Sequence, residues 1–130
     1  MNRLQDRVAL ITGAGAGIGK GVARRFAAEG ASLWLADINA ETCAAAAQEL
    51  SEEFGVQVGY SAADVSEHVA VQAMVDAALA HFGRVDILVN NAWGRRPGAK
   101  PGFAQVETLS DLDADWAWRN GMQSALWAMQ

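Results

Sequence analysis

The residues that first suggest chemistry in this chain are four alternating glycines that follow a short apolar segment. They are Gly13, Gly15, Gly17 and Gly19. The apolar segment, Val8 to Thr12, is too short for a helix and predicts a strand buried on both faces. Strand, glycine turn and helix together present unpaired backbone N–H groups and the positive end of a helix dipole, a geometry that binds phosphate. The alternative interpretation is a tight turn that binds no ligand.

The spacing of the glycines separates three phosphate-binding patterns. A P-loop requires glycine where Ala14 stands and a hydroxyl where Gly21 stands, so that pattern fails. The pattern G-x-G-x-x-G fails because Ile18 or Lys20 occupies the position of its last glycine. The segment Thr12–Gly19 reads T-G-x-x-x-G-I-G and predicts a nucleotide-binding turn of that type.

Two carboxylates stand at the ends of the second and third apolar runs, where strand ends of a parallel sheet line a ligand crevice. Asp37 could accept hydrogen bonds from an adenosine ribose and would repel a 2′-phosphate, and no Lys or Arg flanks it, so it favours NAD over NADP. Asp64 could accept from an adenine amino group while the adjacent backbone at Val65 meets a ring nitrogen. The alternatives are that Asp37 only caps the next helix and that Asp64-Val65 is an ordinary turn.

Paired amides, Asn90 and Asn91, end the fourth apolar run. Such side chains at a strand end can tie the loop backbone to neighbouring strands, and the small Ala92 lets the chain approach a ribose closely. The alternative is an ordinary Asn-rich turn.

The elements that must position these residues alternate between short apolar runs and helical patterns. Strands are predicted at Val8–Thr12, Ser32–Asp37, Val56–Ser61 and Asp86–Asn90. Helices are predicted at Gly17–Glu29, from Asn39 to about Phe54, from a Ser66 cap to Phe82 with Val71, Val75, Leu79 and Phe82 on its apolar face, and from about Ser110 onward. Three strand–helix–strand units in succession predict a parallel sheet with helices on both faces. The segment Asn91–Thr108 has no periodicity and is predicted to be a long loop.

The order and spacing of these motifs resemble those of the short-chain dehydrogenase/reductase superfamily, over essentially the whole chain and the N-terminal half of the family's length. The resemblance implies an α/β fold, a Rossmann-like doubly wound parallel sheet in which residues 1–130 supply the first four strands in the order 3-2-1-4. The cofactor is expected to be NAD rather than NADP. The residues implied to bind it are Thr12, Gly13, Gly17, Ile18, Gly19, Asp37, Asp64, Val65, Asn91 and Ala92.

The chain departs from the family pattern at three places. Trp93 stands where the family has glycine, so a bulky ring could reshape the mouth of the substrate site. The family's catalytic Tyr-x-x-x-Lys and preceding Ser lie in its second half, and the one tyrosine here, Tyr60, has no Lys four residues on. Counting from Trp116 puts the family's helical Asn at Gln123, with Asn120, one turn earlier, as the alternative. No catalytic residue and no metal-ligating cluster is therefore predicted within this chain.

Composition bounds the class of protein. A net charge of −5 with 52% hydrophobic residues indicates a soluble globular domain and argues against a nucleic-acid or anionic-membrane surface. One cysteine, Cys43, allows no internal disulfide and suits a reducing cytoplasm, and no signal peptide or membrane span is recognised. The last helix has no stop signal and is rich in Trp and Met, so a truncated chain and a homo-oligomer formed through that helix are expected.

Two functions from different classes follow from these observations. The first is an NAD-dependent short-chain oxidoreductase that exchanges hydride between nicotinamide and a secondary alcohol or ketone, of which this chain is the cofactor-binding half. Its small-molecule substrate is not identified by the sequence. The second is a non-catalytic dinucleotide-binding or interaction module, or an inactive gene fragment. A reading frame that continues beyond Gln130 to a Tyr-x-x-x-Lys would favour the first, and a stop codon the second.

Overall fold

The computed structural model describes residues 2–94, 98 and 110–130. In chain order the elements are β1 (Val8–Thr12), α1 (Gly17–Ala28), β2 (Ser32–Asp37), α2 (Ala40–Phe54), β3 (Val58–Ala62), α3 (His68–Phe82), β4 (Ile87–Val89), α4 (Asp111–Trp118), a π-helical turn (Arg119–Gln123) and α5 (Ser124–Met129). Most of the predicted loop Asn91–Thr108 lies outside the described residues.

The four strands form one parallel sheet in the order β3-β2-β1-β4, which confirms the predicted Rossmann-like fold and its strand order. All residues of β1 are buried, as expected for a strand with neighbours on both sides. Leu10 of β1 pairs with Trp34 of β2 on one side and with Leu88 of β4 on the other. The chain therefore turns to opposite sides of β1 for its second and fourth strands.

Helices cover both faces of the sheet, because successive side chains of a strand point in opposite directions. On one face, Ala9 and Ile11 belong to a buried cluster completed by α1 and α2. On the other face, Leu10 belongs to a cluster completed by α3 and by Trp127 of α5. Packing on both faces fixes the strands, and with them the residues that follow their carboxyl ends.

The helix ends follow the capping residues that the sequence provides. The side chain of Asn39 caps α2 by accepting a hydrogen bond from the N–H of Thr42 at 3.1 Å. Gly55 ends α2 with a φ of 66°, and Gly83 ends α3 with a φ of 75°. These are left-handed conformations that glycine adopts without strain, so the predicted ends of both helices are confirmed.

The start of α3 differs from the prediction. Ser66 is not the cap, because its hydroxyl donates to Oδ1 of Asp64 at 2.6 Å and Glu67 occupies the N-cap position. The preceding strand, β3, also begins at Val58 rather than Val56. Both differences lie close to Asp64, since β3 precedes this residue and the start of α3 follows it.

The buried face of α3 is also rotated relative to the predicted stripe. Val71, Met74 and Ala78 are its buried residues, whereas Leu79 is 41% exposed.

Within the described ranges, no helix combines the length and the apolar character that a membrane span requires.

Two valines of α3 provide a matched test of this packing. Val71 is 0% exposed and Val69 is 83% exposed. We expect Val71→Ala to lower the free energy of unfolding by about 2 kcal/mol, because two buried methyl groups and their contacts are lost. Val69→Ala should change it by less than about 0.5 kcal/mol. Urea denaturation followed by circular dichroism measures both values, and equal effects would contradict the described orientation of α3.

Candidate functional site

A crevice of about 500 Å³ opens at the carboxyl ends of the strands, at the position where open α/β sheets bind ligands. The predicted binding residues that line it are Gly13, Gly17, Ile18, Asp37, Asp64, Val65, Asn91 and Ala92. Its other lining residues are Ala16, Ala36, Ile38, Ala63, Trp93, Gly94, Trp116 and Asn120. Thr12 and Gly19 are buried behind this lining, where they hold parts of the wall in place.

The glycines of the turn after β1 and of the first turn of α1 have two different roles. A Cβ atom at Gly19 would lie 2.1 Å from the carbonyl oxygen of Gly13, and one at Gly13 would lie 2.8 Å from Nδ2 of Asn91. Larger residues at these two positions would push the walls of the crevice apart. A Cβ atom at Gly17 would meet no atom within 4 Å, so this glycine faces open space at the N-terminus of α1. No side chain caps that helix end, and its first N–H groups are available to a ligand.

Four hydrogen bonds join the end of β1 to the segment after β4, and we call them the Thr12–Asn91 clasp. The hydroxyl oxygen of Thr12 accepts from the backbone N–H groups of Asn91 at 3.1 Å and Ala92 at 2.9 Å. The side-chain amide of Asn91 donates to the carbonyl oxygens of Thr12 at 3.1 Å and Gly13 at 3.3 Å. The expectation that a strand-end amide ties the loop to a neighbouring strand is confirmed for Asn91.

Asp37, at the end of β2, has its carboxylate fixed by two backbone groups. Oδ2 accepts from the N–H of Gly15 at 2.9 Å, and Oδ1 accepts from the N–H of Asn39 at 3.0 Å. The side chain that caps α2 belongs to Asn39, so capping does not account for Asp37. Each carboxylate oxygen can accept more than one hydrogen bond, and Asp37 therefore retains acceptor capacity toward the crevice.

Cys43 lies beneath this carboxylate in α2. Burial, together with the negative charge of Asp37, raises the pKa of the Cys43 thiol to about 11. The thiol is therefore protonated at neutral pH, and a thiol in that state is a poor nucleophile. Cys43 is a core residue rather than part of a reactive site.

Asp64 and Val65 follow β3 at the same edge of the sheet. Oδ1 of Asp64 accepts from the backbone N–H of Ser66 at 3.0 Å and from its hydroxyl at 2.6 Å. These bonds form a turn, and the turn brings both Asp64 and Val65 to the lining of the crevice. The ordinary-turn interpretation and a place in the crevice are thus compatible at this position.

The last helical segments contribute Asn120 to the crevice. Asn120 is 7% exposed, and its Oδ1 accepts from the N–H of Gly94 at 3.1 Å. Gln123, the position obtained by counting from Trp116, does not line the crevice. A π-helical turn spans Arg119–Gln123 and buries Asn120, so the alternative position, and not the one given by the motif spacing, reaches the crevice.

Trp116 also lines the crevice, a position that no sequence pattern predicted. In the sequence it is one of several large apolar residues of the last helix, and nothing marks it as a crevice residue. The spacing of that helix does not distinguish Trp116 from Trp118, which is 54% exposed. Only the packing of the helix against the segment after β4 separates them.

The other side chains of the described chain that could carry out acid–base chemistry lie outside the crevice. Tyr60 lies on β3 and is 47% exposed. His68 stacks on Trp127 with ring centres 4.9 Å apart, and His81 packs 5.5 Å from Trp34. Among the residues that the structure describes, no three His, Cys, Asp or Glu side chains are grouped so as to hold a metal ion.

Comparison with known proteins agrees with this architecture. Residues 7–129 match the family model described as short chain dehydrogenase. The chain is 47% identical over 113 residues to D-threitol dehydrogenase of Mycolicibacterium smegmatis, covering 87% of this chain and 41% of that protein. It is 43% identical over 95 residues to 7alpha-hydroxysteroid dehydrogenase of Escherichia coli, covering 73% of this chain and 37% of that protein.

A solved structure extends the similarity to three dimensions. L-sorbose reductase from Gluconobacter frateurii, complexed with NADPH and L-sorbose, superposes with a TM-score of 0.89 at 32% identity. The superposition covers 98% of this chain and 47% of that one. The chain thus spans less than half the length of each of these three proteins.

The Thr12–Asn91 clasp can be tested by removing its central acceptor. Thr12→Val keeps the side-chain shape but leaves two backbone N–H groups without their acceptor, so the free energy of unfolding should fall by about 1–3 kcal/mol. Thr12→Ser retains the hydroxyl and is the matched control, with an expected loss of about 1 kcal/mol from the missing methyl. Urea denaturation compares the two with the unmodified chain, and a Val variant as stable as the unmodified chain would show that the Thr12 hydroxyl does not stabilise the fold.

Proposed function

The chain belongs to the short-chain dehydrogenase family, and from this premise we propose that it forms the NAD-binding portion of an oxidoreductase. The proposed reaction is hydride exchange between a nicotinamide cofactor and a secondary alcohol or ketone. The observation that carries the proposal is the crevice, which joins an open glycine turn to two strand-end carboxylates, Asp37 and Asp64.

The glycine turn fits a diphosphate. The space beside Gly17 is open, and the first N–H groups of α1 have no side-chain cap. The helix dipole adds a partial positive charge at this point. Gly13, Gly17 and Ile18 would therefore contact the diphosphate through their backbone, and Gly19 would allow the close packing that shapes the turn.

The strand-end carboxylates fit the adenosine half of a dinucleotide. Asp37 is held with acceptor capacity toward the crevice, and it would receive hydrogen bonds from the ribose hydroxyls. Asp64 uses Oδ1 to hold its own turn, which leaves Oδ2 for the amino group of adenine. Val65 would border the adenine ring, and Asn91 and Ala92 would follow the cofactor on the β4 side.

The charges of the crevice support NAD over NADP. Its described lining contains the carboxylates of Asp37 and Asp64 and no Lys or Arg. A 2′-phosphate on the adenosine ribose would lie beside Asp37 and be repelled, since like charges at close range are unfavourable. Family membership does not decide this point, because the superposed L-sorbose reductase is complexed with NADPH. The proposed preference rests on the two carboxylates of this chain.

The chemistry divides between the cofactor and the protein. When bound, the cofactor supplies hydride transfer, and the described residues bind and orient it. A group that exchanges a proton with the alcohol oxygen is also needed, and the described crevice lining holds no tyrosine, lysine or histidine. We expect that group to come from a further part of a longer protein.

A second candidate is a dinucleotide-binding module without catalysis, and it is favoured by a described lining that holds no tyrosine, lysine or histidine. The two candidates share the cofactor site and differ in turnover. Binding of NAD without oxidation of any secondary alcohol, in a chain extended as its own reading frame allows, would favour the module.

Asp37→Asn tests cofactor choice, because it removes the charge and keeps one acceptor oxygen. We expect NAD to bind the unmodified chain more tightly than NADP, and the variant to bind NAD about 10- to 100-fold more weakly, since hydrogen bonds to a charged group contribute about 1.5–3 kcal/mol. The difference between the affinities for NAD and NADP should be smaller in the variant than in the unmodified chain. Isothermal titration calorimetry measures all four affinities.

The matched control is Asp76→Asn, which makes the same charge change on the exposed face of α3, where the side-chain amide of Gln72 donates to Asp76 at 3.0 Å. Its affinities should equal those of the unmodified chain. Equal binding of NAD and NADP by the unmodified chain would refute the proposed selectivity, and binding of neither cofactor would refute the proposed site.

We also propose that the chain self-associates through its last helical segments. Large apolar side chains there are more than half exposed. They are Leu112, Trp118, Met122, Leu126 and Met129. An exposed apolar surface of this kind is typical of protein–protein contacts.

Met122→Glu tests this association, because a charge buried in an apolar contact without a partner is strongly unfavourable. Light scattering at micromolar concentration should show an oligomer for the unmodified chain and a monomer for the variant. Val69→Glu, which places the same charge on exposed α3, should leave the oligomer intact. A monomeric unmodified chain would contradict the proposal.

A further inference from the structure

Trp93 lies at one end of the crevice. In the sheet order β3-β2-β1-β4, the ends of β3 and β4 are three strand spacings apart, roughly 14 Å at about 4.8 Å each. Asp64 follows β3 and Trp93 follows β4, so the two mark opposite ends of the crevice. Under the proposed function adenosine occupies the end at Asp37 and Asp64, and the nicotinamide half then extends toward Trp93.

The ring of Trp93 is supported from behind and open in front. Its Cδ1 and Nε1 atoms lie 3.6 and 3.9 Å from the place a Cβ atom would occupy at Gly121, so the indole packs close to the π-helical turn. The next residue is anchored to the same turn, because the N–H of Gly94 donates to Asn120. Trp93 nevertheless stays 69% exposed while lining the crevice. A flat apolar surface is thus presented to whatever the crevice holds.

Trp116 forms part of the same wall. Its Nε1 atom is buried and has no hydrogen-bond partner among the residues that the structure describes. Because that atom has almost no exposed surface, a ligand in the crevice does not reach it, so the open indole of Trp93 is the one that a ligand would contact.

From these observations we infer that Trp93 binds the nicotinamide end of the cofactor, with its indole packed against the pyridine ring. The oxidised ring is cationic and the reduced ring is neutral, so the contact with Trp93 favours NAD⁺ over NADH through cation–π attraction. The inference rests on the proposed function and adds to it a residue, Trp93, that departs from the family's glycine.

The test separates the two ends of the cofactor by comparing NAD⁺ with ADP-ribose, which lacks nicotinamide. We expect Trp93→Ala to weaken NAD⁺ binding roughly three- to tenfold, the size of a cation–π contact, and to leave ADP-ribose binding unchanged. Loss of NADH affinity should be smaller than loss of NAD⁺ affinity. Trp93→Phe should recover most of the affinity.

Two further measurements guard against an effect on folding. Tyr60→Ala removes an aromatic side chain that is 47% exposed and absent from the crevice lining, so both affinities should stay unchanged. Quenching of tryptophan emission by NAD⁺ should be smaller in Trp93→Phe than in the unmodified chain, because a stacked pyridinium ring quenches indole. Thermal unfolding of each variant accompanies the titrations.

The outcomes distinguish the inference from the function on which it rests. An unmodified chain that binds neither NAD⁺ nor ADP-ribose overturns the proposed cofactor site and the inference with it. A chain that binds both, with Trp93→Ala weakening both equally or neither, overturns the inference alone. Selective loss of NAD⁺, rescued by Phe, supports it.

Discussion

The crevice depends on the Thr12–Asn91 clasp. β4 has three residues, and within the described chain it pairs with β1 on one side alone, so its end is the weakest held of the four. The clasp fixes that end in two ways. The Thr12 hydroxyl oxygen accepts hydrogen bonds from two backbone N–H groups, and the Asn91 side-chain amide donates to two backbone carbonyl oxygens. Because the chain diverges to opposite sides of β1 at this point, the same four bonds set the width of the crevice.

The clasp in turn requires glycine on the other side of the turn. Asn91 can reach Gly13 only because neither Gly13 nor Gly19 carries a Cβ atom, which would lie 2.8 and 2.6 Å from its Nδ2. Contacts at these distances have no room for a side chain. The glycine motif therefore has two roles: Gly13 and Gly19 allow the close backbone packing, and Gly17 leaves space beside the helix N-terminus. Gly17 alone of the three leaves its space to a ligand.

Sequence patterns predicted a parallel sheet, the helix ends at Gly55 and Gly83, and half of the residues that line the crevice, because apolar runs, glycines and strand-end carboxylates each have local signals. The strand order followed from the family resemblance. The patterns did not predict the start of α3, since the hydroxyl of Ser66 has a nearer partner in Asp64 than the helix end. They did not predict the π-helical turn either. An extra residue in a helical turn leaves the apolar composition unchanged while altering which side chain, Asn120 or Gln123, faces the strand ends.

The chemical character of the crevice changes along its length in an order that matches the proposed ligand. Carboxylates follow β2 and β3, an uncapped helix N-terminus follows β1, and two tryptophans stand at the end beyond β4. A dinucleotide presents hydroxyl and amino groups, then a diphosphate, then a flat pyridine ring. The hydroxyl and amino groups would meet carboxylates, the diphosphate would meet the helix N-terminus, and the pyridine ring would meet a tryptophan. Since every one of these surfaces belongs to the described residues, cofactor recognition can reside in this chain even where the proton-transferring group does not.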